Sequence, residues 1–269
     1  MSENRKRKSL EETGPTEADN SSDKFQPSSL HDSLTARIED FDSYWQAPDD
    51  VEEGYDKFYK YYKYNFMPHI PNDRSKNILV VSCGPGYLVN LLDDEGYTNV
   101  LGIDSDPEKI KYATDRSLNC KTERAFSFLA KNDEEFDTII CEQEMNHLTI
   151  DEMIDFLRLC RRGLCPGGRL VVYGLNGANP IFGAENLAHN IDHFNTFTEY
   201  SLKQILELAG FQDISIFNLQ LYVFWTNPLN YVGLFATSFF SFLFRALHIL
   251  YGKNTKCFSK KIAASCRKH

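Results

Sequence analysis

Asn77-Ile78-Leu79-Val80-Val81-Ser82-Cys83-Gly84-Pro85-Gly86 is the stretch on which the fold turns, together with Gly102-Ile103-Asp104 shortly after it. The first is an apolar run that ends in two closely spaced glycines. It reads as a buried strand (residues 77–81) entering a loop where Gly84 and Gly86 let the backbone approach a ligand. Leu88, Leu91 and Leu92 then mark a helix whose first amides face that loop. Residues 99–103 form a second strand, and Asp104 at its end is placed to accept hydrogen bonds from a ribose diol. In an open α/β sheet, ligands sit at the carboxyl ends of the strands. A lone Gly-x-Gly or a lone aspartate says little, but at this separation the pair points to a nucleoside-bearing cofactor.

The alternation continues downstream. A helix spans residues 106–116 with Pro107 at its first position, and residues 136–141 form a strand. A further helix over 149–164 opens with a Thr149/Glu152 capping box and buries Met153, Phe156, Leu157, Cys160 and Leu164. Pro166-Gly167-Gly168 turns into a strand over 169–173. A helix at 198–209 stops at Gly210, and residues 214–219 read as the last strand. Strands alternating with helices define an α/β, doubly wound, mostly parallel sheet covered on both faces. Upstream, Tyr55, Phe58, Tyr59, Tyr62 and Phe66 share one face of a helix, which is expected to pack on the core rather than lie over a ligand as a lid.

The chain has 269 residues, 42% of them hydrophobic, enough for one sizeable core with extensions. Its seven cysteines form no CxxC pair and no signal-like segment follows Met1, so reduced thiols and a cytoplasmic location are expected. Arg5-Lys6-Arg7-Lys8 offers nuclear import as the alternative. No His/Asp cluster has ligand spacing, so no metal is expected. The net charge of −9 argues against nucleic acid as a partner. Residues 1–30 are too polar to fold, residues 31–220 form the α/β domain, 221–251 an apolar helical extension, and 252–269 a tail with six Lys/Arg and no acid. The extension, with Phe235, Phe239, Phe240 and Phe242, is read as packing on the core or forming a homodimer. Lying at a membrane interface beside the basic tail, or spanning the bilayer, are the remaining readings.

Residues 78–86, Gly102-Ile103-Asp104, Phe136-Asp137-Thr138-Ile139-Ile140 and Leu164-Cys165-Pro166-Gly167-Gly168-Arg169-Leu170 together resemble the motifs of class I, Rossmann-type methyltransferases over about residues 55–220. The third spaced glycine of a dinucleotide fingerprint is lacking. The resemblance implies a seven-stranded sheet and S-adenosylmethionine (SAM) as cofactor. It also implies contacts from Ser82, Cys83, Gly84, Gly86, Asp104, Ser105, Arg124, Ala125, Glu142 and Gln143, with Glu144 on the same rim. The family's first-strand acid is Val80 here, its first loop glycine is Ser82, and its adenine-facing acid aligns with Arg124. Gln143 stands where an acid often follows the fourth strand. A missing carboxylate removes about 1.5–3 kcal/mol, so a binding domain without catalysis is the alternative to an active enzyme.

Asp192-His193, Phe197-Thr198, Ser201-Leu202 and Ala209-Gly210-Phe211 are similar to bacterial methyltransferases of surface-polysaccharide synthesis, which implies a sugar or glycan hydroxyl, or another small acceptor. His193 and His147 are the candidate bases. His147 has the alternative role of closing the loop before Thr149. His189 reads as a surface residue, and Asn176, Asn179 and Asn186 are available to sugar hydroxyls.

Overall fold

The computed structural model describes residues 51–132, 135–142, 144–189, 193–221 and 228–269. The expectations for residues 1–30, Arg5–Lys8 and Gln143 lie outside these. Helix α1 (Val51–Phe66) precedes strand β1 (Ile78–Val81), helix α2 (Tyr87–Asp94), β2 (Val100–Asp104), α3 (Pro107–Asp115) and β3 (Cys120–Thr122). Then follow α4 (Ala125–Lys131), β4 (Phe136–Cys141), a 3₁₀ turn (Glu144–His147), α5 (Ile150–Gly163) and β5 (Leu164–Leu175). The chain ends with α6 (Gly183–Ala188), α7 (Glu199–Leu208), β6 (Gln212–Asn218), α8 (Pro228–Leu250) and β7 (Lys261–Arg267).

The seven strands are ordered β3-β2-β1-β4-β5-β7-β6. β1 through β5 run parallel, and β7 is antiparallel to both β5 and β6. All four residues of β1 are fully buried, as the unbroken apolar run requires of a central parallel strand. One face is covered by α1, α2 and α3, through Tyr55, Phe66, Leu88, Leu91 and Ile110. The other is covered by α4, α5 and α7, through Phe126, Phe156, Leu157 and Leu202. The Thr149–Glu152 capping box is present, and Asp106 caps α3 by accepting from Glu108 and Lys109.

Two assignments change. Residues 252–269 are not a tail, because Lys261–Arg267 forms β7 inside the sheet, with Ile262, Ala263, Ala264 and Cys266 at most 1% exposed. A strand buried on both faces reads as a short continuous apolar run, and flanking lysines and arginines masked it. The α/β domain therefore closes at Arg267, and the apolar segment is an insertion between β6 and β7 rather than an extension. The expected packing of this segment on the core is met only in part: α8 has no buried residue, and it touches the domain at Phe258 through Phe244 and His248.

Deleting residues 257–269 removes an internal strand and leaves β5 and β6 without a common partner. The truncated chain is expected to lose its cooperative thermal transition by circular dichroism; a melting temperature like that of the full chain would show that β7 is dispensable.

Candidate active site

The loop after β1 holds Ser82, Gly84 and Gly86 at φ 56°, 54° and 85°, in the left-handed region where side chains are disfavoured. An added Cβ at Gly84 would meet nothing within 4 Å, so the loop is open on that side. At Gly86 it would lie 3.1–3.4 Å from Leu118, Ala113 and Cys120. Gly84 thus offers an approach for a ligand, whereas Gly86 lets the loop pack closely against α3 and β3.

Asp104 ties this loop to β2. Its Oδ2 accepts the Gly84 amide at 2.8 Å, and Oδ1 accepts the Asp106 amide at 2.9 Å. Its own carbonyl accepts the Glu123 amide at 2.9 Å. Ser82, Ile103, Asp104, Ser105, Glu123, Arg124 and Ala125 line one small, open cleft. Both oxygens of the Asp104 carboxylate thus take part in holding the loop, on the wall of the same cleft.

That cleft unites Ser82, Asp104, Ser105, Arg124 and Ala125 from the sequence-based set, with Gly84 bonded to its wall. Glu123 was missed. It places a carboxylate in the cleft one residue before Arg124, where the motif alignment found none. Cys83 does not line this cleft; it is 4% exposed, and its sulfur would lie 2.8 Å from a Cβ at Gly102.

Glu142 belongs to a different cluster. It is buried at the end of β4, where its Oε2 accepts from Tyr62 on α1 at 2.6 Å and from Tyr173 on β5 at 3.3 Å. Oε1 is buried without a hydrogen-bond partner. Burial pushes the carboxyl up to about 7, against the Tyr62 bond, the positive charge of Lys261 and the Tyr173 bond. Burial likewise brings Lys261 down to about 8. Helix α1 reaches the loop as well, through Tyr55, whose hydroxyl donates to the Pro85 carbonyl at 2.6 Å. It is therefore both a packed core helix and a cover on the rim.

His147 and His193 come together, with ring centroids 5.1 Å apart. His193 Nδ1 lies 2.8 Å from the Asn186 carbonyl. A carbonyl can only accept, so Nδ1 carries the hydrogen and the neutral ring has its lone pair on Nε2. Asn146 holds the histidine loops at the end of β5, donating to the Asn195 carbonyl at 2.7 Å and accepting the Leu175 amide at 3.2 Å. His189 is exposed and 3.1 Å from Glu185. The three asparagines offered to sugar hydroxyls are used by the backbone instead. Asn176 donates to Cys257 and Ser259, Asn179 to Phe258 and Asn186 to Lys260. Together they fasten the segment that leads into β7.

Fold and cleft define a doubly wound domain of the nucleoside-cofactor type. The family profile described as a methyltransferase domain matches residues 55–216, and the chain belongs to that family: it is a class I, SAM-dependent methyltransferase. Among solved structures, a SAM-dependent methyltransferase from Archaeoglobus fulgidus is 18% identical with a TM-score of 0.57, over 81% of this chain and 95% of that one. The complex between the Haloferax volcanii Trm112 methyltransferase activator and the putative methyltransferase gives a match of 14% identity and TM-score 0.61, over 86% and 97%. Haemonchus contortus phosphoethanolamine N-methyltransferase 2, solved with SAM, is 15% identical with a TM-score of 0.54, over 85% and 59%. No curated protein sequence matches.

Asp104→Ala removes a charged acceptor from two backbone amides and from the cleft. Calorimetric titration with SAM is expected to show affinity about 1.5–3 kcal/mol weaker, together with a lower melting temperature. Equal affinities would displace Asp104 from the cofactor site.

Glu142 predicts a pH dependence. Its folded pKa lies above the unfolded 4.5, at about 7, so between these values the folded chain holds a proton that the unfolded chain has released. Stability is expected to fall as pH rises from about 4.5 to 7. Denaturant titrations of Glu142→Gln should show that slope flattened. An unchanged slope would mean that Glu142 ionises normally.

Proposed function

We propose that this methyltransferase acts on a hydroxyl of a sugar or glycan-type acceptor, with His193 taking the hydroxyl proton at Nε2. The observation that carries the reading is the Nδ1–H bond from His193 to the Asn186 carbonyl, which leaves the other ring nitrogen as the basic one. A second imidazole, His147, stands beside it. The polysaccharide-type motifs between Asp192 and Phe211 support the glycan reading.

The residues around the cleft fit SAM. The open approach at Gly84 suits a close ligand, the Asp104 carboxylate at the end of β2 suits a ribose diol, and Glu123 supplies the acid that faces a base amine. Bound there, SAM supplies an electrophilic methyl group on a sulfonium. The protein's task is to orient the acceptor and to remove a proton. Asp104 fixes the loop and β2 relative to each other, so the cofactor side of the rim is set before any ligand arrives. The Asn146 bonds hold the His193 loop against β5, and the neutral imidazole accepts a hydroxyl proton near neutral pH. Glu142 is bonded to two tyrosines inside the core, and its role in this scheme is to hold α1 on the rim.

His193→Ala is expected to lower turnover by about 10²–10⁴-fold with SAM affinity unchanged. In the wild type the rate should rise with pH through an apparent pKa of about 6–7, a step absent from the variant. Turnover per folded molecule preserved in the variant, with only a lower melting temperature, would make His193 structural and refute the proposal.

A further inference from the structure

After Asp213 the chain has no acidic residue, yet it carries seven Lys/Arg: Arg245, Lys253, Lys256, Lys260, Lys261, Arg267 and Lys268. Within this stretch stands α8, whose 23 residues span roughly 34 Å at 1.5 Å per residue. Phe235 is 75% exposed, Phe239 54% and Phe242 72%. Asn230, Thr237, Ser241, Arg245 and His248 follow at helical spacing, i, i+7, i+11, i+15 and i+18, and make one narrow polar stripe. Most of the remaining circumference is apolar. A second helix would cover a single seam of it, whereas a bilayer interface takes up a broad apolar face.

Topology decides how such a helix meets a bilayer. β6 and β7 pair with Asn218 opposite Ile262, and β5 pairs with β7 with Leu175 opposite Lys261. The chain therefore leaves for α8 and returns from it at one place, the carboxyl-terminal rim of the sheet. The return is firmly tied: Glu199 accepts the Lys256 amide at 2.6 Å, and Phe258 touches Phe244 and His248 of α8 at centroid distances of 5.9 and 4.9 Å. Five residues, 251–255, join the helix end to this anchor, and fully extended they reach about 20 Å. A spanning helix would leave its far end across about 30 Å of hydrocarbon. The return would then draw Lys253 and unpaired backbone through lipid, which is forbidden. The length of a span is present but the connection of one is not.

We propose that α8 is an in-plane docking helix for anionic bilayers, its apolar surface entering the interface and its flanking lysines and Arg245 facing the phosphates. Because α8 leaves from the rim that carries the histidine pair, docking sets the acceptor side against the membrane; this last consequence, an acceptor presented at the bilayer surface, rests on the methyl-transfer reading above.

The test is flotation of the full-length chain with phosphatidylcholine vesicles with and without phosphatidylserine. Binding is expected with phosphatidylserine at low salt, reduced at high salt and with phosphatidylcholine alone. It should be extracted by alkaline carbonate. The exposed triple variant Phe235→Asp/Phe239→Asp/Phe242→Asp should keep the wild-type melting temperature and lose at least about tenfold in partition. Four results would overturn the proposal: no flotation of the wild type, undiminished flotation of the folded variant, resistance to carbonate as for a spanning protein, or failure to bind lipid by a chain of twice 31.0 kDa that the same variant returns to monomer. Flotation needs no methyl transfer, so a chain that floats but does not methylate would refute the acceptor reading and leave the docking helix standing.

Discussion

The last strand of the chain lies inside the sheet, and the rest of the architecture is arranged around that constraint. β7 pairs along its length with β5 on one side and β6 on the other, so the sheet cannot be completed until the final residues are in place. Its Ala263 and Ala264 are fully buried, and small side chains there let helices approach on either face. The long connection from β6 to β7 is thereby held at both ends. Whatever α8 does, it does as a loop fastened to the domain at two neighbouring points.

That fastening explains the use of asparagine at the rim. Asn176, Asn179 and Asn186 all donate to carbonyls between Cys257 and Lys260. A segment without regular structure still has backbone groups to satisfy, and side-chain amides serve where no neighbouring strand can. The same economy appears at Asp104, whose two oxygens organise the loop amides while facing the cleft. Residues that resemble ligand-binding groups in sequence are here also the joints of the scaffold. Asp104 combines its structural bonds with a place on the cleft wall. The three asparagines are buried, with their amides turned to the backbone of the 257–260 segment.

Strands and helices whose apolar period was uninterrupted were legible from the residues: β1, β2, β4, α5 and α7 stand where the pattern put them. β3 and α4 were not, since Cys120–Thr122 is three residues long and Ala125–Lys131 seven, too short for a period to show. β7 was hidden by the charges around it. In the site, Asp104 and the glycine loop were readable because their chemistry is local to two strand ends. The pairing of His147 with His193 was not, because it depends on how two loops are sewn together by Asn146. Nor was the separation of Glu142 from the cofactor cleft: it follows from Tyr62 and Tyr173, residues distant in sequence that enclose it. Glu123 could have been found by allowing the alignment one residue of slack.

The order of strands gives the rim a sequence of tasks. Cofactor-type residues stand at β1, β2 and the segment after β3; the histidine pair stands at the ends of β4 and β5; and the α8 connection leaves beside β5, from β6 and β7. Neighbouring strands lie about 4.8 Å apart. Three steps from β2 to β5 therefore put roughly 14 Å between Asp104 and the histidine loops, and two further steps reach the α8 connection. The sheet fixes this spacing by its hydrogen bonds, and the histidine and α8 regions meet at Asn186, whose carbonyl accepts from His193 Nδ1 and whose side-chain amide donates to Lys260. The covering helix α1 bridges them. Tyr55 is bonded at the glycine loop, Tyr62 at β4, and Asn65 to the backbone of Gln220, the first stretch of the α8 connection. That one helix is bonded both to the start of the α8 connection and to the loop beside the cleft.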